Sequence, residues 1–319
     1  MKRQFIESLK AGETVDDVFV LTEKALYQKR DGKPYLNASF SDRSGNIKGV
    51  LWERVEEIAP TVAAGDFVAV KGSVGEYKGS LQLVVKSIQP CPPESVTPAD
   101  FLPTSQRDPD KMFERLSQLT HSLEAPWLKA LVAAFWQDAE FVRRFKTAPA
   151  AKNMHHAYIG GLLEHSLSMA LVAEKIAQHY SGVDRDLLLV GAIFHDIGKI
   201  REFDYQVAID YSDEGRLLSH IVIGLEIVTA KIREVPDFPA EQANLLKHMI
   251  VSHHGARELG SPEPPKTIEA VLLNYIDEMD SKINGIRDFI NSDASQATWT
   301  SYHRLLGRHF YTGKHPKKS

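Results

Sequence analysis

The sequence has a single cysteine and no long apolar segment among its 319 residues. Cys91 has no second cysteine to pair with, so an intrachain disulfide is excluded and a reducing cytoplasm is the expected compartment. No apolar run reaches the roughly 18 residues that a membrane-spanning helix requires, and we therefore expect no membrane partner. The first residues, MKRQFIESLKAGETVDD, lack the apolar stretch of a secretory signal.

Neither sign of charge dominates the chain. The formal net charge is −4, which excludes the basic body of a simple nucleic-acid coat protein, so any polyanion must bind to a local patch. The C-terminus is the basic exception, because no acidic residue follows Asp293. We expect residues 314–319 to form a solvated basic tail. With 43% hydrophobic and 25% charged residues, the composition is that of a globular protein, and the length suffices for two domains.

Three regions of different pattern divide the sequence. Residues 1–89 contain five short apolar or alternating runs separated by glycine-containing turns, which predicts a small all-β barrel. Residues 90–109 are rich in proline, which removes backbone donors and fixes φ, so this stretch is predicted to be a stiff linker. From residue 110 onward apolar residues recur at spacings of three and four, which predicts an all-α helical bundle. We expect connecting helices over 110–150 and a functional domain over 151–313.

Histidine and aspartate recur beside the apolar faces of the predicted helices. They form five blocks in the order H…HD…H…HH…D, namely His165, His195 with Asp196, His220, His253 with His254, and Asp277. A lone histidine on an apolar helix is usually an ordinary core residue, and an isolated His-Asp pair carries almost no information. The complete ordered set differs, because an ionised aspartate on an apolar face is costly unless it is paired or bound to a cation.

The chemistry of these residue types favours a divalent metal. Imidazole and carboxylate ligands together suit Mn, Fe, Co, Zn or Mg, and the two oxygens of Asp196 allow one ion or two. Such ions can activate a water molecule, so hydrolysis at this site would require no serine or cysteine nucleophile. Local signals agree, since Gly198 and Gly255 are predicted to end two of the ligand-bearing helices. Ser219 is predicted to cap the start of the helix that carries His220.

The ordered pattern and the block His195-Asp-Ile-Gly-Lys199 resemble the HD superfamily of metal-dependent phosphohydrolases. The strings Lys152-Asn-Met-His-His-Ala-Tyr-Ile-Gly-Gly-Leu-Leu-Glu-His165 and Ser252-His-His-Gly255 resemble one branch more closely. That branch is the bacterial 3′-to-5′ exoribonucleases in which an OB-fold precedes the HD domain (the YhaM type), and the likeness covers nearly the whole chain. It implies an OB-fold over residues 1–89 and single-stranded RNA as substrate, with single-stranded DNA as an alternative.

Carried over by position, the resemblance implies metal ligands shared between two ions. The first ion would be bound by His165, His195, Asp196 and Asp277. The second would share Asp196 and add His220 with His253 or His254. Mn is the expected ion, with Co, Mg, Fe and Zn as alternatives.

The resemblance also implies residues that act on the substrate. Asp196 and Lys199 are the expected catalytic residues, with Lys199 facing the substrate phosphate. The alternative for Lys199 is a solvated cation beyond a helix end, where the helix dipole favours positive charge. His155 and His156 match the branch and are predicted to contact substrate, although support of the metal ligands from behind or plain helix packing are the alternatives.

The segment from Tyr35 to Trp52 resembles the strand–turn–strand part of nucleic-acid-binding OB-folds, where bases stack on aromatic rings and cations follow the backbone. The predicted contacts are Tyr35, Arg43, Lys48, Tyr77 and Lys78. Of the four candidate aromatics, Tyr35, Phe40, Trp52 and Tyr77, half are expected in the core, with Tyr35 and Tyr77 exposed. Because acidic and basic residues balance in the barrel, a protein-binding platform is the alternative.

The function predicted on these grounds is metal-dependent 3′-to-5′ exonucleolytic hydrolysis of RNA. An HD phosphohydrolase of free nucleotides or cyclic dinucleotides is the second hypothesis, and the barrel argues against it because a mononucleotide needs no strand-binding module. A non-catalytic RNA-binding protein is the third, and the full set of ligand types argues against it. The sequence allows a homo-oligomer without indicating one.

Overall fold

The computed structural model describes residues 2–29, 31–77, 79–152, 156–293 and 297–313. The chain forms two compact units, one made of residues 1–104 with 204–210 and the other of residues 105–203 with 211–319. The first is all-β apart from short helical turns, and the second is helical. The predicted fold, a small barrel followed by a helical domain, is confirmed.

Five strands close the barrel: β1 (Thr14–Gln28), β2 (Pro34–Asp42), β3 (Gly45–Leu51), β4 (Phe67–Tyr77) and β5 (Ser80–Pro90). Their order is β1-β2-β3-β5-β4, and β4 pairs back onto β1. The β3–β5 pair is parallel and the other pairs are antiparallel. A short helix, α1 (Val55–Ile58), lies between β3 and β4. This is the topology of an OB-fold.

Alternation along β2 separates the barrel core from its surface. Leu36, Ala38 and Phe40 are buried, while the residues between them are partly exposed. The strand before it is longer than the apolar run that predicts it, Val15–Leu21, because β1 continues to Gln28. A register shift between Leu21 and Glu23 interrupts the β1–β2 pairing, and such bulges let one strand bend and pair with two neighbours.

Most of the proline-rich segment packs against the barrel and belongs to the first unit. It forms two short 3-10 turns, Pro93–Ser95 and Pro98–Asp100, and Phe101 then packs edge-on against Phe67 with ring centroids 4.8 Å apart. Residues 204–210, which fall inside the predicted helical domain, also group with the barrel unit. The predicted boundaries at residues 89, 109 and 150 stay predictions.

The second unit is built around a helix that is buried along nearly its whole length. Every residue of α6 (Arg185–Phe194) from Asp186 to Phe194 is buried, and α6 packs against α5, α9 and α10. The remaining elements are α2 (Pro109–His121), α3 (Pro126–Trp136), α4 (Ala139–Thr147), α5 (Gly161–His179), α7 (Lys199–Glu202), β6 (Phe203–Asp204), β7 (Asp210–Tyr211), α8 (Asp213–Glu234), α9 (Ala240–Ser252) and α10 (Ile268–Ser292). None of the helices in the described ranges has the length and apolar composition to cross a bilayer.

Candidate metal centre and nucleic-acid surface

The predicted metal ligands meet at one point of the helical unit, although they come from five parts of the chain. His165 lies on α5, His195 and Asp196 follow α6, and His220 lies on α8; His253 and His254 follow α9, and Asp277 lies on α10. His195 and His253 are 0% exposed, and His165 and Asp196 are 2% exposed. Ionisable groups are rarely buried together in this way without a compensating charge.

Local backbone geometry brings these residues into position. Gly255 has a φ of +82°, the left-handed conformation that ends α9 as predicted. The same interpretation of Gly198 is wrong, because its φ of −61° is right-handed. A Cβ at Gly198 would lie 2.0 Å from the carbonyl oxygen of His220, so glycine is required there by close approach to α8. Ser219, with φ 61° and ψ 160°, breaks α8 directly before His220, which agrees with the predicted helix start.

One group of ligand atoms surrounds Nε2 of His165. This nitrogen lies 3.2 Å from Nε2 of His195 and 3.3 Å from Oδ1 of Asp277. Oδ2 of Asp196 lies 3.5 Å from Nε2 of His195 and 3.7 Å from Nε2 of His165. Two imidazole nitrogens that face each other at 3.2 Å need a proton or a cation between them, since two lone pairs would repel.

A second group lies on the other side of the Asp196 carboxylate. Its Oδ1 is 3.5 Å from Nε2 of His220 and 3.6 Å from Nε2 of His253. His254 completes this group, with ligand nitrogens of the three histidines within 4.8 Å of one another. Each oxygen of Asp196 therefore faces one ligand group. The second group includes both His253 and His254.

Three buried atoms of the second group indicate that the site fits a cation. Oδ1 of Asp196, Nε2 of His220 and Nε2 of His253 make no hydrogen bond to any described residue, although buried polar atoms normally have a partner. Ligand atoms each about 2.1 Å from one ion would be separated by about 3.0–3.5 Å, close to the separations seen in both groups. The donor set of imidazoles and carboxylates suits a divalent metal ion.

Each of the five histidines is oriented through its other ring nitrogen. The Nδ1 atoms of His195, His253 and His254 donate to the carbonyl oxygens of Ala192, Ile250 and Leu259. Nδ1 of His220 lies 2.9 Å from Oε1 of Glu202, and Nδ1 of His165 lies 2.8 Å from Oδ2 of Asp280. A proton held on Nδ1 leaves the lone pair on Nε2, the atom that points to the centre.

Burial and neighbouring charges shift the pKa values of several residues of the centre. Burial disfavours the ionised form of Asp196, but the Lys199 ammonium and His195 hold the pKa of this carboxyl well below its usual range. Burial likewise opposes protonation of His165, yet hydrogen bonds with Asp277 and Asp280 raise the pKa of His165 to about 9. By contrast, burial and the neighbouring His253 lower the pKa of His254 to about 4. The carboxylates around His165 thus favour a positive charge at this point.

Lys199 lies against the centre. Its Nζ is 2.6 Å from Oδ2 of Asp196, and the side chain is 14% exposed. The alternative of a solvated cation is wrong, because this lysine is largely buried and paired. Its pKa is raised, since the attraction of Asp196 outweighs the effect of burial.

Asp280 and Glu202 were missed at the sequence level. Asp280 is 7% exposed and accepts from Ser168 Oγ at 2.5 Å as well as from His165. Glu202 accepts from the backbone N–H and the ring of His220, both at 2.9 Å. Their spacing from predicted site residues is the sequence signal that could have identified them. Asp280 lies one turn beyond Asp277 on α10, and Glu202 lies three residues after Lys199.

His156 lies behind the ligands. It is 3% exposed, with Nε2 at 3.4 Å from Asp280 and Nδ1 at 2.7 Å from the Tyr158 hydroxyl. Substrate contact by His156 does not fit this burial, whereas support of the ligands from behind does. His155 lies outside the described residues.

The barrel carries a row of stacked aromatic rings. Tyr35 lies between Tyr27 and Trp52, with centroid distances of 5.6 and 5.0 Å and interplanar angles of 27° in both pairs. Nζ of Lys29 lies 5.0 Å from the Trp52 ring centroid. Tyr27 and Trp52 are 50% and 43% exposed. The prediction that Tyr35 is exposed is wrong, because its two neighbours cover its faces and leave it partly buried. The expectation that half of the four candidate aromatics are core is wrong, since Phe40 is the only one of the four that is fully buried.

The other predicted barrel contacts are dispersed. Lys48 borders a groove of about 340 Å³ that Tyr27 also lines, so it lies near the aromatic row. Arg43 stacks over Phe5 at the far end of the hairpin. Measured along the strand, it is about 27 Å from Tyr35. It therefore does not join that surface. Tyr77 is 59% exposed, as predicted, and Lys78 lies outside the described residues.

Two protein-family models match the two parts of this architecture. The HD domain family matches residues 162–282, and the OB-fold nucleic acid binding domain family matches residues 20–90. A family described as a putative helicase also matches residues 94–181. Among solved structures, the second OB-fold domain of replication protein A from Methanococcus maripaludis is 24% identical, covering 27% of this chain and 92% of that one with a TM-score of 0.22.

Two curated relatives match along most of the sequence. The 3′-5′ exoribonuclease YhaM of Bacillus velezensis is 37% identical, over 85% of this chain and 86% of the relative. The protein of the same name from Bacillus subtilis is 35% identical, over 86% of each chain. With an OB-fold and an HD domain in the same order, the chain belongs to the YhaM family of 3′-5′ exoribonucleases.

Proposed function

We propose that this protein is a metal-dependent 3′-to-5′ exoribonuclease that hydrolyses the terminal phosphodiester of single-stranded RNA. The observation that carries the proposal is the Asp196 carboxylate, which faces one ligand group with each oxygen at 3.5–3.7 Å. Two bound divalent ions would lower the pKa of an attacking water and offset charge on the phosphoryl oxygens. Mn²⁺ is the ion we expect.

The protein's own side chains would bind the ions and place a positive charge at the phosphate. The first group (His165, His195 and Asp277) and the second group (His220, His253 and His254) share Asp196 as their common ligand. Lys199 would bring a fixed positive charge to the phosphate, at little reorganisation cost because Asp196 already holds its ammonium in place. Asp280 and Glu202 would keep His165 and His220 in the tautomer that presents Nε2.

The barrel would hold the strand. Base stacking on aromatic side chains tolerates any sequence, and the Tyr27–Tyr35–Trp52 row with Lys29 and Lys48 nearby offers rings and cations on one surface. RNA rather than DNA is the preferred substrate in this proposal. A homo-oligomer stays a prediction.

The direct test is a 5′-labelled RNA incubated with chelated protein to which Mn²⁺, Co²⁺, Mg²⁺ or Zn²⁺ is returned. We expect a ladder that shortens from the 3′ end, with Asp196→Asn inactive, and slower cleavage of the DNA of the same sequence. Cleavage only of nucleoside triphosphates or cyclic dinucleotides would contradict the proposal. Cleavage that persists in Asp196→Asn would also contradict it.

A further inference from the structure

A groove of about 660 Å³ opens beside the metal centre, between α10 and residues 254–265. His254 and Asp277 belong to its wall, so one end of the groove reaches both ligand groups. Its volume is that of a small-molecule site. None of the contacts described for the metal centre accounts for the far end of this groove.

The groove changes character along its length. On α10, successive residues turn by roughly 100°, so Asn274 and Ser281 flank Asp277 while Val271 and Tyr275 lie on the far side of the wall. The far side is apolar and open to solvent, since Tyr275 is 64% exposed and Leu259 of the facing loop is 69% exposed. Large apolar side chains exposed together beside a catalytic centre mark a binding surface.

Charge in the groove argues against a second phosphate. Glu278 and Lys282 both line it, and they form an ion pair with each other. The far end is therefore apolar and close to neutral, whereas the near end carries the metal ligands. A nucleotide has a matching arrangement, with a charged phosphate at one end and, at the other, a flat aromatic base whose faces stack on apolar and aromatic side chains.

We propose that this groove binds the nucleobase of a nucleotide that flanks the scissile phosphodiester, with Tyr275 as its stacking partner and Leu259 and Val271 as the apolar walls. This inference rests on the proposed function. It adds a base-binding subsite within the helical unit, separate from the aromatic row of the barrel. Recognition by stacking would accept all four bases, which suits an enzyme that removes successive nucleotides.

The test uses RNAs of one sequence that carry an abasic nucleotide at the 3′ terminus or at the penultimate position. Single-turnover cleavage by the full-length enzyme with Mn²⁺ would be compared for wild type, Tyr275→Phe and Tyr275→Ala. We expect wild type to cleave intact RNA about 5- to 150-fold faster than one of the abasic RNAs, the range for one stacked base. Tyr275→Ala should lose this discrimination, and Tyr275→Phe, which keeps the ring, should retain it.

Tyr180→Ala is the matched control, because Tyr180 is 55% exposed at the end of α5 and does not line the groove. It should behave as wild type. If wild type cleaves no RNA, the proposed function itself fails. If wild type cleaves RNA but treats intact and abasic strands alike, or if Tyr275→Ala slows both equally, the subsite is wrong. Light scattering adds a further check, since a change of subunit number in Tyr275→Ala with base discrimination intact would assign this surface to self-association instead.

Discussion

Replacement of Asp280 by asparagine tests how far one metal ligand, His165, depends on the carboxylate that orients it. The carboxylate accepts hydrogen bonds from Nδ1 of His165 at 2.8 Å and from Ser168 at 2.5 Å, and lies 3.4 Å from Nε2 of His156. Asparagine keeps the shape but removes the charge and one acceptor. His165 and Ser168 then compete for the one remaining oxygen, and the negative charge that favours a proton on Nδ1 of His165 is lost. Loss of such a partner typically lowers metal affinity by about 10- to 100-fold, which corresponds to about 1.4–2.8 kcal/mol.

The measurement is a titration of the chelated protein with Co²⁺, followed by visible absorption, and with Mn²⁺, followed by calorimetry. A loss of stability alone would also weaken binding, so a buried carboxylate elsewhere is the control. Asp186 is 7% exposed, like Asp280, but accepts from the backbone N–H groups of Glu124 and Ala125 at the opposite end of α6 from His195. Asp186→Asn should lower the unfolding temperature without changing metal affinity. Wild-type affinity in Asp280→Asn, or an equal loss in both variants, would refute the reasoning.

Three further predictions concern the metal, the lysine and the barrel. Returning Mn²⁺ to chelated protein at about 100 times its Kd should raise the free energy of unfolding by about 2.7 kcal/mol, seen by calorimetry as a higher unfolding temperature; an unchanged temperature would mean that the centre binds no ion in the folded state. Lys199→Met should lower kcat by about 100-fold or more while metal content stays at the wild-type level, because a charge 2.6 Å from Asp196 is lost; an unaltered kcat would remove Lys199 from the reaction. Trp52→Ala should weaken binding of RNA to the chelated protein by about 5- to 150-fold in a filter assay, and Arg43→Ala much less; the reverse order would place the strand at the other end of the hairpin.

The sequence predicted best what short-range patterns encode. His195 and Asp196 are adjacent, and the apolar run before them predicts the helix that buries them. Asp277 stood out because a carboxylate among apolar neighbours requires a partner. Strand alternation likewise predicted the barrel, since its core and surface residues follow a period of two.

What escaped prediction depends on contacts between distant segments. Asp280 looks like a surface residue on α10 until α5 places His165 and Ser168 against it. The stack of Tyr27 on Tyr35 requires β1 to extend past its predicted end, and only the register shows that these residues are paired. Gly198 has a helical backbone, so its role depends on the carbonyl of His220 and not on local conformation.

The distribution of the ligands over five parts of the chain also bears on when the protein becomes active. During synthesis the barrel residues emerge before the ligand-bearing helices, and Asp277 emerges after the other ligands. Before α10 packs, the first ligand group lacks the Asp277 carboxylate, and His165 lacks the support of Asp280. Domains fold as units during synthesis, with N-terminal ones first. The aromatic surface of the barrel would therefore be complete before the metal centre is.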